Sequence, residues 1–128
     1  MSFLNKIFGE GAATYNVSKM NWIALESMSQ LNDIVTLSNE KTVLIFKHST
    51  RCSVSRMVLK QFEDEFKLVE SIAPYFLDLL EHRDISNAIA SCFEVQHQSP
   101  QLLVIQAGKA VYSASHESIN AGSLKMFS

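Results

Sequence analysis

The chain has 128 residues, 47% of them apolar and 19% charged, with a formal net charge of -2. A chain of that length can bury a core without metal or disulfide staples. The charge balance argues against a broad nucleic-acid surface, which needs an excess of Lys and Arg to neutralise phosphates. Two cysteines far apart in sequence do not make a secreted disulfide framework, and no apolar run approaches a membrane-spanning helix.

Residues 1–21 read as an N-terminal extension and 22–128 as one domain. Phe3, Leu4, Ile7 and Phe8 could share a face of a short helix that Gly9 and Gly11 stop, the pattern of a docked or frayed terminus. One Lys before so short an apolar patch is no signal peptide, so the expected compartment is the reducing cytosol. Ser27-Met28-Ser29-Gln30 reads as a capping box, with Leu31, Ile34 and Val35 at helical spacing behind it and Trp22 seating the helix.

Thr42 to Lys47 is apolar on both faces in its middle, as a central strand covered on two sides must be. A polar turn leads to Cys52, and Met57, Val58, Phe62 and Phe66 follow as the inner stripe of an amphipathic helix. Pro74 marks the entry to a second strand, Tyr75 to Leu79. Asp84 or Ser86 caps the next helix, whose inner face is Ile85, Ala88, Ile89, Cys92 and Phe93. Leu102 to Ile105 and Ala110 to Ser115 form a hairpin across Gly108, and Ser118 or Asn120 starts a short final helix. Strand–helix–strand joins are parallel and right-handed, whereas the tight turn at Gly108 forces an antiparallel pair. The expected α/β fold is therefore a mixed four-stranded sheet with helices on both faces, a thioredoxin-like arrangement.

Cys52 falls where a strand has ended and a helix begins. The unpaired N–H groups of a first helical turn carry partial positive charge and favour a thiolate at such a place. Arg51 and Arg56 could add to that field. Ser55 stands where a dithiol oxidoreductase has its second sulfur; it can donate a hydrogen bond to a thiolate but cannot bridge to it. The chemistry left is attack on a mixed disulfide, with the small thiol then removed from Cys52 by a thiol from outside. Cys92, on an apolar stripe, reads as inert core. His48 could reach Cys52 as a base or wall the site. His48, His82, His97 and His116 have no metal-site spacing with the cysteines, so neither a metal nor a tightly bound cofactor is expected. Asp78 and Glu81 read as a strand end in solvent. Ser99-Pro100 precedes a strand; were that bond cis, the Ser99 backbone could face Cys52 and pair with a substrate.

Phe46-Lys47-His48-Ser49-Thr50-Arg51-Cys52-Ser53-Val54-Ser55-Arg56, Arg83-Asp84-Ile85-Ser86-Asn87, His97-Gln98-Ser99-Pro100-Gln101 and Ser115-His116 together resemble the monothiol bacilliredoxin family, from about Trp22 to the C-terminus. The resemblance implies a thioredoxin fold, a cis bond at Pro100, and removal of bacillithiol from S-thiolated cytosolic proteins. It also implies that Cys52 is the nucleophile, in a pocket shaped by Thr50, Arg51, Ser55, Ser99 and Pro100, with bacillithiol or a similar low-molecular-weight thiol as co-substrate. Two other classes remain open. An iron–sulfur carrier of the monothiol glutaredoxin type would place Gly and Phe after the cysteine, where this chain has Ser53 and Val54. A non-catalytic thioredoxin-like adaptor would leave Cys52 incidental.

Overall fold

A computed structural model describes residues 20–66 and 71–127; the expectations for the first nineteen residues lie outside them. The elements in chain order are β1 Ile23–Ala24, α1 Ser29–Leu37, β2 Thr42–His48, α2 Ser53–Glu65, β3 Ile72–Asp78, α3 Arg83–Phe93, β4 Gln101–Gln106 and β5 Lys109–Ser115. Two 3₁₀ segments, His116–Ser118 and Ala121–Phe127, follow them. The strands form one mixed sheet in the order β1-β3-β2-β4-β5. β2 lies parallel to β3 and antiparallel to β4, and the hairpin β4–β5 closes one edge.

The sheet has five strands, one more than the sequence suggests. The extra one is β1, whose two residues pair with Tyr75 and Phe76. Both are exposed, so no apolar alternation advertised them. β3 also starts earlier than expected, and Pro74 sits inside it opposite Leu44. Because β1 covers only Tyr75 and Phe76, the outer edge of β3 is open at Pro74, which is where a strand tolerates proline.

β2 is buried along its whole length and divides the core by alternation. Val43 and Ile45 face Leu31 and Ile34 of α1 and Ile85, Ile89 and Phe93 of α3. Leu44 and Phe46 face Val58 and Phe62 of α2, together with Ile119 and Leu124 from the C-terminal segments. Trp22 does not seat α1. It packs on Phe46, Phe62 and Phe76 at ring centroid distances of 5.9, 6.2 and 5.5 Å, and its Nε1 donates to Glu63 Oε2 at 2.6 Å.

Helix phase and caps also depart from expectation. Met57 is 65% exposed, and the inner face of α2 is Ser55, Val58 and Phe62. On α3 the inner face is Ile85, Ser86, Ile89 and Phe93, while Cys92 is exposed. Only half of the capping box forms: Gln30 Oε1 accepts from the amide of Ser27 at 3.0 Å, but α1 starts at Ser29 without a side-chain cap. α3 likewise has no side-chain cap; Asp84 lies in its first turn and Ser86 inside the core. Asn120 does cap the final segment, accepting from Gly122 N at 2.7 Å. At the β4–β5 turn Ala107 and Gly108 both have positive φ, and their amides donate to the carbonyl and hydroxyl oxygens of Ser38.

Phe62 is 1% exposed and touches Trp22, Phe46 and Phe66. Phe62→Ala is expected to cost about 3–5 kcal/mol, read as a lower urea midpoint at unchanged slope. Met57→Ala, on the exposed face of the same helix, is expected to stay within about 0.5 kcal/mol of the parent.

Candidate active site

Cys52 is the residue at which β2 hands over to α2. It is the N-cap of α2, with extended backbone (φ -102, ψ 120), and its carbonyl accepts the first helical hydrogen bond, from Arg56 N at 3.1 Å. Its amide donates to Ser49 O at 3.2 Å, so residues 49–52 make one tight turn. The side chain is half-buried and the sulfur accepts no capping hydrogen bond from the helix amides. Arg56 Nη1 donates to Thr50 O at 3.0 Å and braces the loop from the helix side.

Ser55 comes one turn later and is fully buried. Its Oγ accepts from Ser49 N at 3.1 Å and lies 2.8 Å from His48 Nδ1. His48 is itself buried, and burial pulls its pKa down; Asp78 opposes this and Arg56 adds to it. In a neutral imidazole one ring nitrogen donates and the other accepts; with the proton on Nε2, His48 Nδ1 accepts the Ser55 hydroxyl. The hydroxyl is thus engaged on the side of His48 and Ser49.

The Ser99–Pro100 bond is cis, as the family resemblance implies. Gln101 pairs with Lys47 across the antiparallel ladder, so Pro100 lies level with His48, at the sheet end from which the Cys52 loop departs. The loop before Pro100 is tied down by side chains. Gln101 Nε2 donates to Gln96 O at 3.0 Å, and Gln101 Oε1 accepts from Gln98 N at 3.4 Å. Ser99 Oγ is buried and without a partner among the described residues.

Beneath the same loop lies a feature that the sequence reading passed over. Lys47 is completely buried on the α3 side of β2. Its Nζ donates to Ser86 O at 3.1 Å and to His97 Nδ1 at 3.2 Å, and Ser86 Oγ lies 3.2 Å from that same nitrogen. Burial lowers the Lys47 pKa from 10.5 to about 8. The His97 pKa is lowered too, by burial and then by the cations Lys47 and Arg83. A lysine inside an otherwise apolar strand was the available signal, because a buried ammonium requires partners.

Thr50 and Arg51, both exposed, turn toward the β3–α3 connection and line a cleft with Asp78 and Glu81. The two carboxylates therefore border the site. The structure brings Cys52, Ser55, His48, Thr50, Arg51, Ser99 and Pro100 to one end of the sheet and leaves Cys92 out. Cys92 lies near the far end of α3, about 14 Å along the helix from Arg83, beside Gly108 and Lys109. Arg83 shares a cleft with Thr50 and Arg51, so the Cys52 loop is at the other end of α3 from Cys92. No group of three His, Cys, Asp or Glu gathers as metal ligands among the described residues. None of the helices among them is long and apolar enough to cross a membrane.

The sequence model of the family described as monothiol bacilliredoxin BrxC matches residues 23–124. The chain belongs to that family. A solved thioredoxin-fold protein, proposed to be an oxidoreductase, is 32% identical; the match covers 81% of this chain and 90% of that one, with a TM-score of 0.69. Malassezia sympodialis thioredoxin is similar in fold at 15% identity (TM-score 0.66, 85% of this chain and 89% of that one). Fasciola hepatica thioredoxin is similar at 16% identity (TM-score 0.61, 80% and 92%). Family and fold together support a thiol redox role.

In this bacilliredoxin the buried Lys47 leaves a signature in stability. Between about pH 8 and 10.5 the unfolded chain holds a proton that the folded chain has released, so stability rises with pH across that window. Lys47→Met removes this slope. Relative to the parent, the variant is expected to fare best at pH 7 and to lose that standing by pH 10, in urea unfolding compared at matched pH.

Proposed function

We propose that the protein is a cytosolic monothiol thiol–disulfide oxidoreductase that removes bacillithiol, or a similar low-molecular-weight thiol, from mixed disulfides on proteins. One observation carries this reading: a half-exposed cysteine at a helix mouth has a buried serine, Ser55, where a second sulfur would stand. With Cys92 at the other end of α3, no sulfur among the described residues can resolve Cys52 from within. The resolving thiol comes from solution.

In the first step the Cys52 thiolate attacks the sulfur of the small thiol cap. A bond forms between Sγ and that sulfur, the substrate disulfide breaks, and the electron pair leaves on the protein sulfur, which takes a proton from solvent. In the second step a free small thiol, as its thiolate, attacks the cap sulfur now held on Cys52. The products are a small-molecule disulfide and the regenerated thiolate. No cofactor is needed, because each step exchanges one disulfide for another.

The surrounding groups have distinct tasks. The α2 N-terminus and Arg51 supply positive charge beside Cys52 for the exchange step. Ser55 adds its hydroxyl when His48 takes over the donor role at Nδ1. Thr50, Ser99 and Pro100 form the groove in which the backbone of the S-thiolated protein pairs with Ser99, and His48 forms its buried wall.

A protein carrying a bacillithiol mixed disulfide tests the scheme. The parent is expected to release the cap and to hold it as a mass adduct until small thiol is added, while Cys52→Ser falls to the blank rate. A Cys52→Ser variant as active as the parent overturns the proposal. Ser55→Cys places a sulfur one turn from Cys52, so the adduct is expected to clear without added thiol, leaving an internal disulfide detectable by mass.

A further inference from the structure

A cleft of about 480 Å³, lined by the two residues before Cys52 but not by Cys52 itself, has no occupant assigned by the exchange steps. Its lining comes from two connections: Thr50 and Arg51 from the loop entering α2, and Asp78, Leu80, Glu81 and Arg83 from the turn entering α3. The two are joined at the sheet end, where Leu79 N donates to His48 O at 3.0 Å. The cleft is of small-ligand size, and it opens on the residue immediately before the cysteine.

Two guanidinium groups and two carboxylates line the cleft, yet among the described residues the ion pair that forms is Lys60–Asp64, on the exposed face of α2. Asp78 uses one oxygen to accept from Leu80 N at 3.1 Å, which shapes the turn and leaves the other oxygen available. An arginine fork matches a carboxylate in two-point geometry, and a carboxylate accepts readily from an ammonium. With two cations and two anions in one wall, the cleft suits a zwitterion better than a polyanion such as a phosphorylated thiol.

We infer that this cleft receives the small-thiol half of the mixed disulfide and selects a zwitterionic thiol, its carboxylate held by Arg51 and Arg83 and its ammonium by Glu81 and Asp78. The inference rests on the de-thiolation reading above. In that scheme the cap sulfur bonds to Cys52 Sγ, so the body of the cap has to lie within a few ångströms of Cys52, and the cleft bordered by residues 50 and 51 is available to take it. The bonds made and broken are those already given; the cleft supplies recognition only.

The test uses one carrier protein capped in turn with cysteine (a zwitterion), cysteamine (a cation) or mercaptoethanol (neutral). Each kcat/KM is divided by the rate at which free mercaptoethanol attacks the same disulfide, which removes the intrinsic reactivity of the cap. The cysteine cap is expected to be favoured about tenfold over the mercaptoethanol cap, the scale of one charge-assisted hydrogen bond. Arg51→Gln and Arg83→Gln are each expected to cut that ratio severalfold. The ratio is the readout because any effect of Arg51 on the thiolate acts on all caps alike. A parent that releases every cap at the same normalised rate, or variants with an unchanged ratio, overturn the cleft assignment and leave de-thiolation standing. A parent that releases none of these caps overturns the cleft assignment, and one that also leaves a bacillithiol cap in place overturns both.

Discussion

The Ser55 hydroxyl, buried between the His48 ring and the Ser49 amide, ties the first turn of α2 to the last residue of β2. Everything at the site follows from that tie. A strand running straight into a helix needs a tight polar turn, and the turn's backbone groups need partners once apolar walls exclude water. Ser55 supplies one partner and His48 locks Ser55 in place. The Ser49–Cys52 hydrogen bond then sets Cys52 at the N-cap with its side chain free of the helix amides. A serine at this position therefore does more than stand in for a missing sulfur. It holds the loop that presents the sulfur that is there.

A second polar node, on the other face of β2, does the same for the opposite wall. Lys47 joins the α3 backbone at Ser86 to the His97 ring, and Gln101 laces the 96–98 loop to the start of β4. Consecutive residues of one strand, Lys47 and His48, thus serve two different walls, because alternation sends their side chains to opposite faces. Buried polar groups are costly unless satisfied, and each of these is satisfied by the loop or helix it positions. The rigidity of the sheet is passed to two loops that have little apolar contact of their own.

Much of this was legible in the chain. The apolar run of β2, the helical stripe behind Cys52, the Ser99–Pro100 step before β4 and the hairpin at Gly108 all follow from local pattern. Helix phase was less legible. Met57 and Cys92 sit at inward apolar spacing, and spacing alone cannot distinguish a stripe centred on them from one centred on Ser55 or Ser86. Both serines are buried with a hydrogen-bond partner outside their own helix, which periodicity does not register. β1 escaped for a similar reason: two exposed residues become a strand only because β3 offers them a free edge.

By itself the sequence determined that Cys52 stands at a strand-to-helix junction with a hydroxyl three residues on, because hydrophobic period and residue order are local properties of the chain. Tertiary structure alone decided that Cys92 lies at the opposite end from Cys52, that His48 holds Ser55, and that Lys47 reaches His97. It also decided that Arg51 and Arg83 share one cleft. Those relations join different elements, and their geometry is set by strand order and helix phase, which exist only once the sheet has assembled.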